Sequence, residues 1–292
     1  MDRSSSENLI LVNREPDGVA IVTINRPGSL NSLTRAMMGQ AGLFCSGVDL
    51  TAAEDVFKGD VKDAETDTVV QMERCQKPII GAVRGFAVTA GFEIALACDI
   101  LVAANGSKFM DTHTRHEWHI EIVSGYRIGE TSSNQILQIV TVLLSFVPQT
   151  VSCFVILISV ADGGRFGIFP SWGLSQKLSR IIGVNKAREV SLTAAPLTEE
   201  VAERLGLVNH VVEEGELLKK SREIADAIVK NNQDMVLRYK SVINDGIKLD
   251  LGRALSLEKE RAHDYYNGMT KEQFRKMQEF IASRGSKKQS KL

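Results

Sequence analysis

Gly85-Phe86-Ala87-Val88-Thr89-Ala90-Gly91-Phe92-Glu93-Ile94-Ala95-Leu96-Ala97-Cys98-Asp99-Ile100 is the stretch that decides the fold. It follows a short apolar run, Pro78-Ile79-Ile80-Gly81-Ala82-Val83, which reads as a buried strand. Small residues then open a helix, and one carboxylate, Glu93, stands in its first turn between Phe92 and Ile94. A helix start leaves backbone N–H groups without partners and presents a partial positive charge. Ala90 and Gly91 have little side chain to block a ligand. A polarised carbonyl oxygen therefore has room to rest on those N–H groups while Glu93 handles a proton. The competing reading is a solvated carboxylate stabilised by the helix dipole. Against it, both sequence neighbours of Glu93 are apolar, and from Pro78 to Ala104 the charges are Arg84, Glu93 and Asp99 alone. A solvated face would carry more.

Outward from this stretch the chain alternates. Leu9 to Val12 and Val19 to Ile24 are β-rich runs around Asp17-Gly18, a hairpin turn signal. Asp60 to Gln76 reads as a helix, and strand, turn and helix then alternate through Phe109, which predicts an α/β fold with strands covered on both faces. From Trp172 the pattern is helical: Ser175 to Ile182, Lys186 to Leu192 and Thr198 to Leu205, then a strand at Leu207 to Val212. Thr198-Glu199-Glu200-Val201 has the form of an N-cap followed by first-turn carboxylates. Four further helices fill Glu216 to Arg284, with apolar residues at three- and four-residue spacing.

The ordered motifs resemble the crotonase superfamily of enoyl-CoA hydratases and isomerases. Asn25-Arg26-Pro27 with Ser29-Leu30-Asn31-Ser32-Leu33 is similar to that family's N-terminal motif, and Phe44-Cys45-Ser46-Gly47-Val48-Asp49-Leu50 to its first oxyanion-loop motif. The Gly85 to Ile100 stretch resembles its signature. Phe169-Pro170-Ser171-Trp172-Gly173-Leu174-Ser175-Gln176-Lys177-Leu178 resembles the loop and helix after the site. The resemblance implies an α/β crotonase-type spiral of ββα repeats over residues 1–212, a helical subdomain over 213–284 and a flexible tail over 285–292. It implies trimers, often stacked in pairs. By resemblance, the backbone N–H groups of Ser46 and Ala90 form the oxyanion hole, and Glu93 holds or deprotonates a water. Ser46, Gly47, Val48, Asp49, Ala90 and Gly91 then hold the thioester end of an acyl-CoA. Coenzyme A belongs to the substrate, and no further cofactor is implied. Phe280 and Arg284 resemble tail positions that approach a neighbouring subunit's CoA, with helix packing and a solvated charge as the alternative.

Where the family's hydratases carry a second glutamate, this chain has His113, in Phe109-Met110-Asp111-Thr112-His113. A histidine transfers protons near neutral pH, so His113 is a candidate substitute acid. Asp111 is chemically nearer to glutamate but needs a shifted backbone. With one certain carboxylate, double-bond isomerisation stands beside hydration.

Two breaks interrupt the pattern. Between Asn31 and Phe44 too few residues remain for the helix and buried strand that the family places there. Conversely, His116 to Arg165 intervenes where Thr114-Arg115 should run into Phe166, and Ile136 to Val160 is predominantly apolar. By length it is a membrane-span candidate, but a span would separate Ser46 and Glu93 from the Pro170 loop. We therefore expect an insert extruded from the fold and prone to β-aggregation, and membrane contact is not expected. Deletion and insert together have the form of an alternatively spliced product. A catalytically impaired subunit that co-assembles with intact ones is the rival reading.

Composition narrows partners. The chain has 292 residues with 35 basic and 36 acidic side chains, so no global field favours nucleic acid. Cys45, Cys75, Cys98 and Cys153 form no CxxC pair. His113, His116, Glu117 and His119 cluster, but not as His-Glu-x-x-His, so no metal site is expected. Trp118 and Trp172 read as packing residues. No apolar leader segment opens the chain, and Ser290-Lys291-Leu292 matches the peroxisomal address read by an import receptor.

Overall fold

A computed structural model of the chain describes residues 10–24, 67–114, 153–158 and 169–279. Among these, six strands form one sheet: β1 (Ile10–Arg14), β2 (Val19–Ile24), β7 (Cys153–Ile158), β3 (Ile79–Val83), β5 (Ile100–Ala104) and β9 (His210–Val212), in that spatial order. β1 and β2 are an antiparallel hairpin whose turn uses Gly18 at φ 91°, and every later neighbour pairs in parallel. A smaller sheet holds β4 (Phe86–Val88), β6 (Lys108–Met110) and β8 (Leu197–Thr198).

The chain steps between the two sheets. β3 lies in the large one, β4 in the small one, and the short helix α2 (Ala90–Ala95) follows; β5 and β6 repeat the step. This is the ββα spiral expected from sequence. All five residues of β3 are buried, as an uncharged run in a doubly covered parallel strand must be. Gly81 leaves no room for a side chain: a Cβ there would stand 2.5 Å from Leu101 Cδ2 and 2.9 Å from Cys98 Sγ. Asp99 closes the turn between α2 and β5, its Oδ2 accepting the Ile79 N–H at 2.6 Å. Phe92 and Phe109, both fully buried, pack with ring centroids 5.5 Å apart and so fix α2 against β6.

Around the sheets lie α1 (Thr68–Arg74), α3 (Leu174–Ile182), α4 (Val184–Thr193), α5 (Glu199–Arg204) and α6 (Leu217–Val229). The expected cap at Thr198 is present: its hydroxyl accepts from Val201 N–H, with Glu199 and Glu200 in the first turn. α3 buries Leu174, Leu178 and Ile182 at one-turn spacing.

One expectation is corrected. The segment His116 to Arg165 is not wholly extruded. Its residues Cys153–Ile158 are β7, a central strand paired with β2 on one side and β3 on the other. The slot between β2 and β3 presents unpaired N–H and C=O groups on two edges, and an uncharged β-branched run is what such a slot accepts. Among the described residues no helix is long and apolar enough to cross a membrane. α6 lies on the large sheet against β3, β5 and β7, with Leu217, Ser221 and Ala225 buried on that face. Small side chains at Ser221 and Ala225 permit the close approach, and Arg222 pairs with Glu15 and Asp17 at the β1–β2 turn.

The chain divides into two compact units, Met1–Leu237 and Arg238–Leu292. The second unit takes in most of α7 (Gln233–Gly246), α8 (Leu251–Asn267) and helical residues 271–279. Within it, Arg261 binds Asp245 Oδ2 at 2.6 Å and Ser241 Oγ at 2.8 Å, and Arg238 stacks on Tyr265.

Candidate active site

Glu93 is buried, 3 % exposed, which removes the solvated-carboxylate reading. Its neighbours in α2 are buried as well, from Ala90 through Ala95. Two backbone N–H groups from the loop that starts α3 donate to one carboxylate oxygen: Trp172 to Oε1 at 3.0 Å and Leu174 to Oε1 at 3.3 Å. Gly173, between them, sits at φ +99°, a left-handed conformation that turns both N–H groups inward and that a side chain rarely adopts. Burial pushes the Glu93 carboxyl above its ordinary 4.5, against the opposing pull of His113 and of the two N–H bonds. A carboxyl moved toward neutrality is a better proton acceptor at working pH.

The turn into α2 is strained. Thr89, its N-cap, has φ 52° and ψ −110° and makes no side-chain cap. Non-glycine residues held in sparsely populated conformations cost about 1–3 kcal/mol and persist where neighbours over-determine them. Here the Thr89 N–H donates to Met110 C=O at 2.9 Å, and its hydroxyl pairs with that of Thr112 in a buried contact. One bond goes to the last residue of β6 and the other to the residue before His113. Ala90 is the first residue of the helix, so its N–H has no acceptor within the helix.

His113 is buried just beyond β6. Its Nδ1 lies 2.6 Å from Asp111 Oδ1, and the same oxygen accepts the His113 backbone N–H at 3.2 Å. Burial by itself would raise the Asp111 carboxyl; hydrogen bonds from His113 and Ser191, with the attraction of His113, outweigh it and hold the carboxyl below its ordinary 3.8. Glu93 interacts electrostatically with both members of this pair. The described part of the site is thus one carboxylate held above its usual range beside a carboxylate–imidazole pair.

Of the residues expected at the site, Glu93, Ala90, Gly91 and His113 come together in this buried region. Ser46, Gly47, Val48 and Asp49 lie outside the described residues, as do His116, Glu117, Trp118, His119, Phe280, Arg284 and the tripeptide Ser290-Lys291-Leu292. Among the described residues, no three His, Cys, Asp or Glu side chains converge as for a metal ion. Sequence reasoning missed three features. Trp172, read as packing, does pack, yet its backbone N–H also holds Glu93; no local signal marks a bond across 79 positions. Asp111, weighed as a rival acid, serves as partner to His113, and an Asp that can bond the chain two residues on was the signal there to be read. The Thr89–Thr112 bond had no such cue.

The profile of the enoyl-CoA hydratase/isomerase family matches residues 37–118 and 160–287. The probable peroxisomal enoyl-CoA hydratase 1 of Arabidopsis thaliana is 61% identical, with 99% of each chain covered. The chain belongs to the enoyl-CoA hydratase/isomerase family. It is an enzyme of that type. The Arabidopsis alignment runs over 312 positions against 292 residues here, so the relative carries residues that face gaps in this chain. The short-chain-enoyl-CoA hydratase of Clostridium acetobutylicum is 28% identical, covering 95% of each chain. The crystal structure of an enoyl-CoA hydratase from Bacillus anthracis superposes with a TM-score of 0.66 at 25% identity, covering 94% of this chain and 97% of that one. The fold is of the crotonase type.

Proposed function

We propose that this enzyme adds water across the double bond of 2-enoyl-CoA thioesters, as in fatty-acid β-oxidation. The observation that carries the reading is Glu93: a buried carboxyl, aimed by two backbone N–H groups and electrostatically coupled to the Asp111–His113 pair. Glu93 takes a proton from water as the oxygen bonds to the β-carbon. The electron pair of the double bond moves toward the thioester oxygen, and the N–H groups of Ala90 and Ser46 hold the negative charge that develops there. Each such donor is worth about 3–4 kcal/mol in the transition state. His113 delivers a proton to the α-carbon, which gives the 3-hydroxyacyl thioester, and the proton on Glu93 returns to His113 to close the cycle. Acid–base steps of this kind need no resident cofactor. Isomerisation needs a single shuttle between two carbons, so the presence of a second proton carrier favours hydration.

Purified chain should consume crotonyl-CoA and release 3-hydroxybutyryl-CoA, and Glu93→Gln should slow turnover about 10²–10⁴-fold, the usual contribution of a positioned acid or base. Wild-type turnover by that variant would sink the mechanism. Conversion of 3-enoyl-CoA without hydration would mark an isomerase, and loss of both activities with no acyl-CoA binding would mark an impaired subunit.

Peroxisomal residence belongs to the same reading, supported by the name of the Arabidopsis relative. A fluorescent fusion at the N-terminus should collect in peroxisomes and become cytosolic when Leu292 is removed; punctate signal after removal would reject the tripeptide as the address.

A further inference from the structure

We infer that Asp111 is a positioning residue of this site: it fixes the ring of His113 so that Nδ1 carries hydrogen and Nε2 is the nitrogen offered to the reaction. The inference rests on the proposed role of His113 as proton donor. Asp111 and His113 are separated by one residue just beyond β6, and Oδ1 of Asp111 receives both the His113 backbone N–H and the ring Nδ1. An ionised carboxylate only accepts hydrogen bonds, so the hydrogen in the 2.6 Å contact belongs to Nδ1. Nε2 is then bare in the neutral ring and bears hydrogen in the protonated one, so it is the atom that can deliver and recover a proton.

The carboxylate is itself held in place. The Ser191 hydroxyl hydrogen-bonds to Asp111, and the Thr114 hydroxyl donates to the Ser191 C=O at 2.7 Å. Residues 111–114 are thereby fastened to the end of α4. With Asp111 and His113 both buried, an ionised carboxylate without a cationic or hydrogen-bonding partner would be costly. Glu93 is the other carboxyl that interacts electrostatically with this ring.

The test is nitrogen NMR of the histidine rings in full-length protein, with His113 assigned by loss of its signals in His113→Ala. The unmodified chain should show a protonated Nδ1. A bare Nδ1 with hydrogen on Nε2 overturns the inference, whether or not any variant folds. In Asp111→Asn, of nearly the same shape, the ring should redistribute toward Nε2–H. Turnover of crotonyl-CoA should fall about 10²-fold or more while KM changes little, and the double variant with His113→Ala should be no slower than His113→Ala alone. An unchanged ring in Asp111→Asn, or a changed ring with wild-type kcat, overturns it. Wild-type kcat in His113→Ala also overturns it, and leaves hydration at Glu93 standing. If the unmodified chain does not hydrate crotonyl-CoA, the hydration reading fails instead, and the ring measurement alone decides the placement of Asp111.

Discussion

A carboxyl that must take a proton from water is most useful where it is least comfortable, and Glu93 carries that cost. Its folded pKa lies above the ordinary 4.5 because burial disfavours the charge. The folded chain therefore binds that proton more tightly than the unfolded chain does, so the group adds stability below pH 4.5, and this is lost as pH rises through the folded pKa. Glu93→Gln keeps an oxygen for the Trp172 and Leu174 N–H groups but cannot ionise. Its melting temperature should exceed that of the unmodified chain at neutral pH, and the gap should close below pH 4.5. A gap that persists unchanged in acid would show that the gain has another origin. Activity should behave oppositely, with an acid limb above 4.5 in the unmodified chain as Glu93 becomes protonated. Thr112 poses the complementary case. Thr112→Val removes the hydroxyl that helps hold Thr89 at φ 52° and should cost about 1–3 kcal/mol, the usual penalty for disrupting a buried polar pair. Because the strained turn orients the Ala90 N–H, turnover should fall as well; chemical denaturation and steady-state kinetics check the two effects separately.

At the scale of elements, much was legible. Ile79-Ile80-Gly81-Ala82-Val83 announced a covered strand, Asp17-Gly18 a hairpin and Thr198 a cap, because each rests on local chemistry that the chain carries within a few residues. Local pattern singled out Glu93, and the resemblance supplied the position of His113. What was not legible depends on partners distant in sequence. The apolar residues between Ile136 and Val160 carry no charge to orient them, and a run of that kind suits a bilayer, an aggregate or a central strand equally well. Choosing among these required knowing that β2 and β3 leave a slot between them, which no residue within the run records. The place of β7 in the sheet decides what excision does. Removing residues 116–165 deletes β7 and leaves β2 and β3 each without a neighbour along one edge. The shortened chain should melt lower and yield less soluble protein, and a proline at Val155 should act in the same direction by removing a ladder donor from a central strand. An excised chain as stable as the full one would show that the β7 pairing contributes nothing.

At the scale of the whole molecule, the remaining question is what covers the apolar side chains of the second unit. Tyr239, Ile243 and Ile247 recur at one-turn spacing and are 68%, 58% and 65% exposed; Leu251 and Leu255 continue the pattern at 76% and 50%. No residue of α7 or α8 is buried. Isolated apolar residues on a surface need no explanation, but stripes at helical spacing mark association faces. Fully burying one such side chain yields about 1.5–3 kcal/mol. Several together match the roughly 4–15 kcal/mol cost of joining two chains. The trimer or hexamer implied by resemblance would supply the cover, with copies of this chain as the partners. Size-exclusion chromatography with light scattering should therefore give a mass of three or six chains. Ile243→Glu with Leu255→Glu puts charge on both stripes and should shift that mass toward the monomer, while the fold of Met1–Leu237, which has its own buried core, is retained by circular dichroism. A monomeric unmodified chain, or an assembly indifferent to both charges, would place the association face elsewhere.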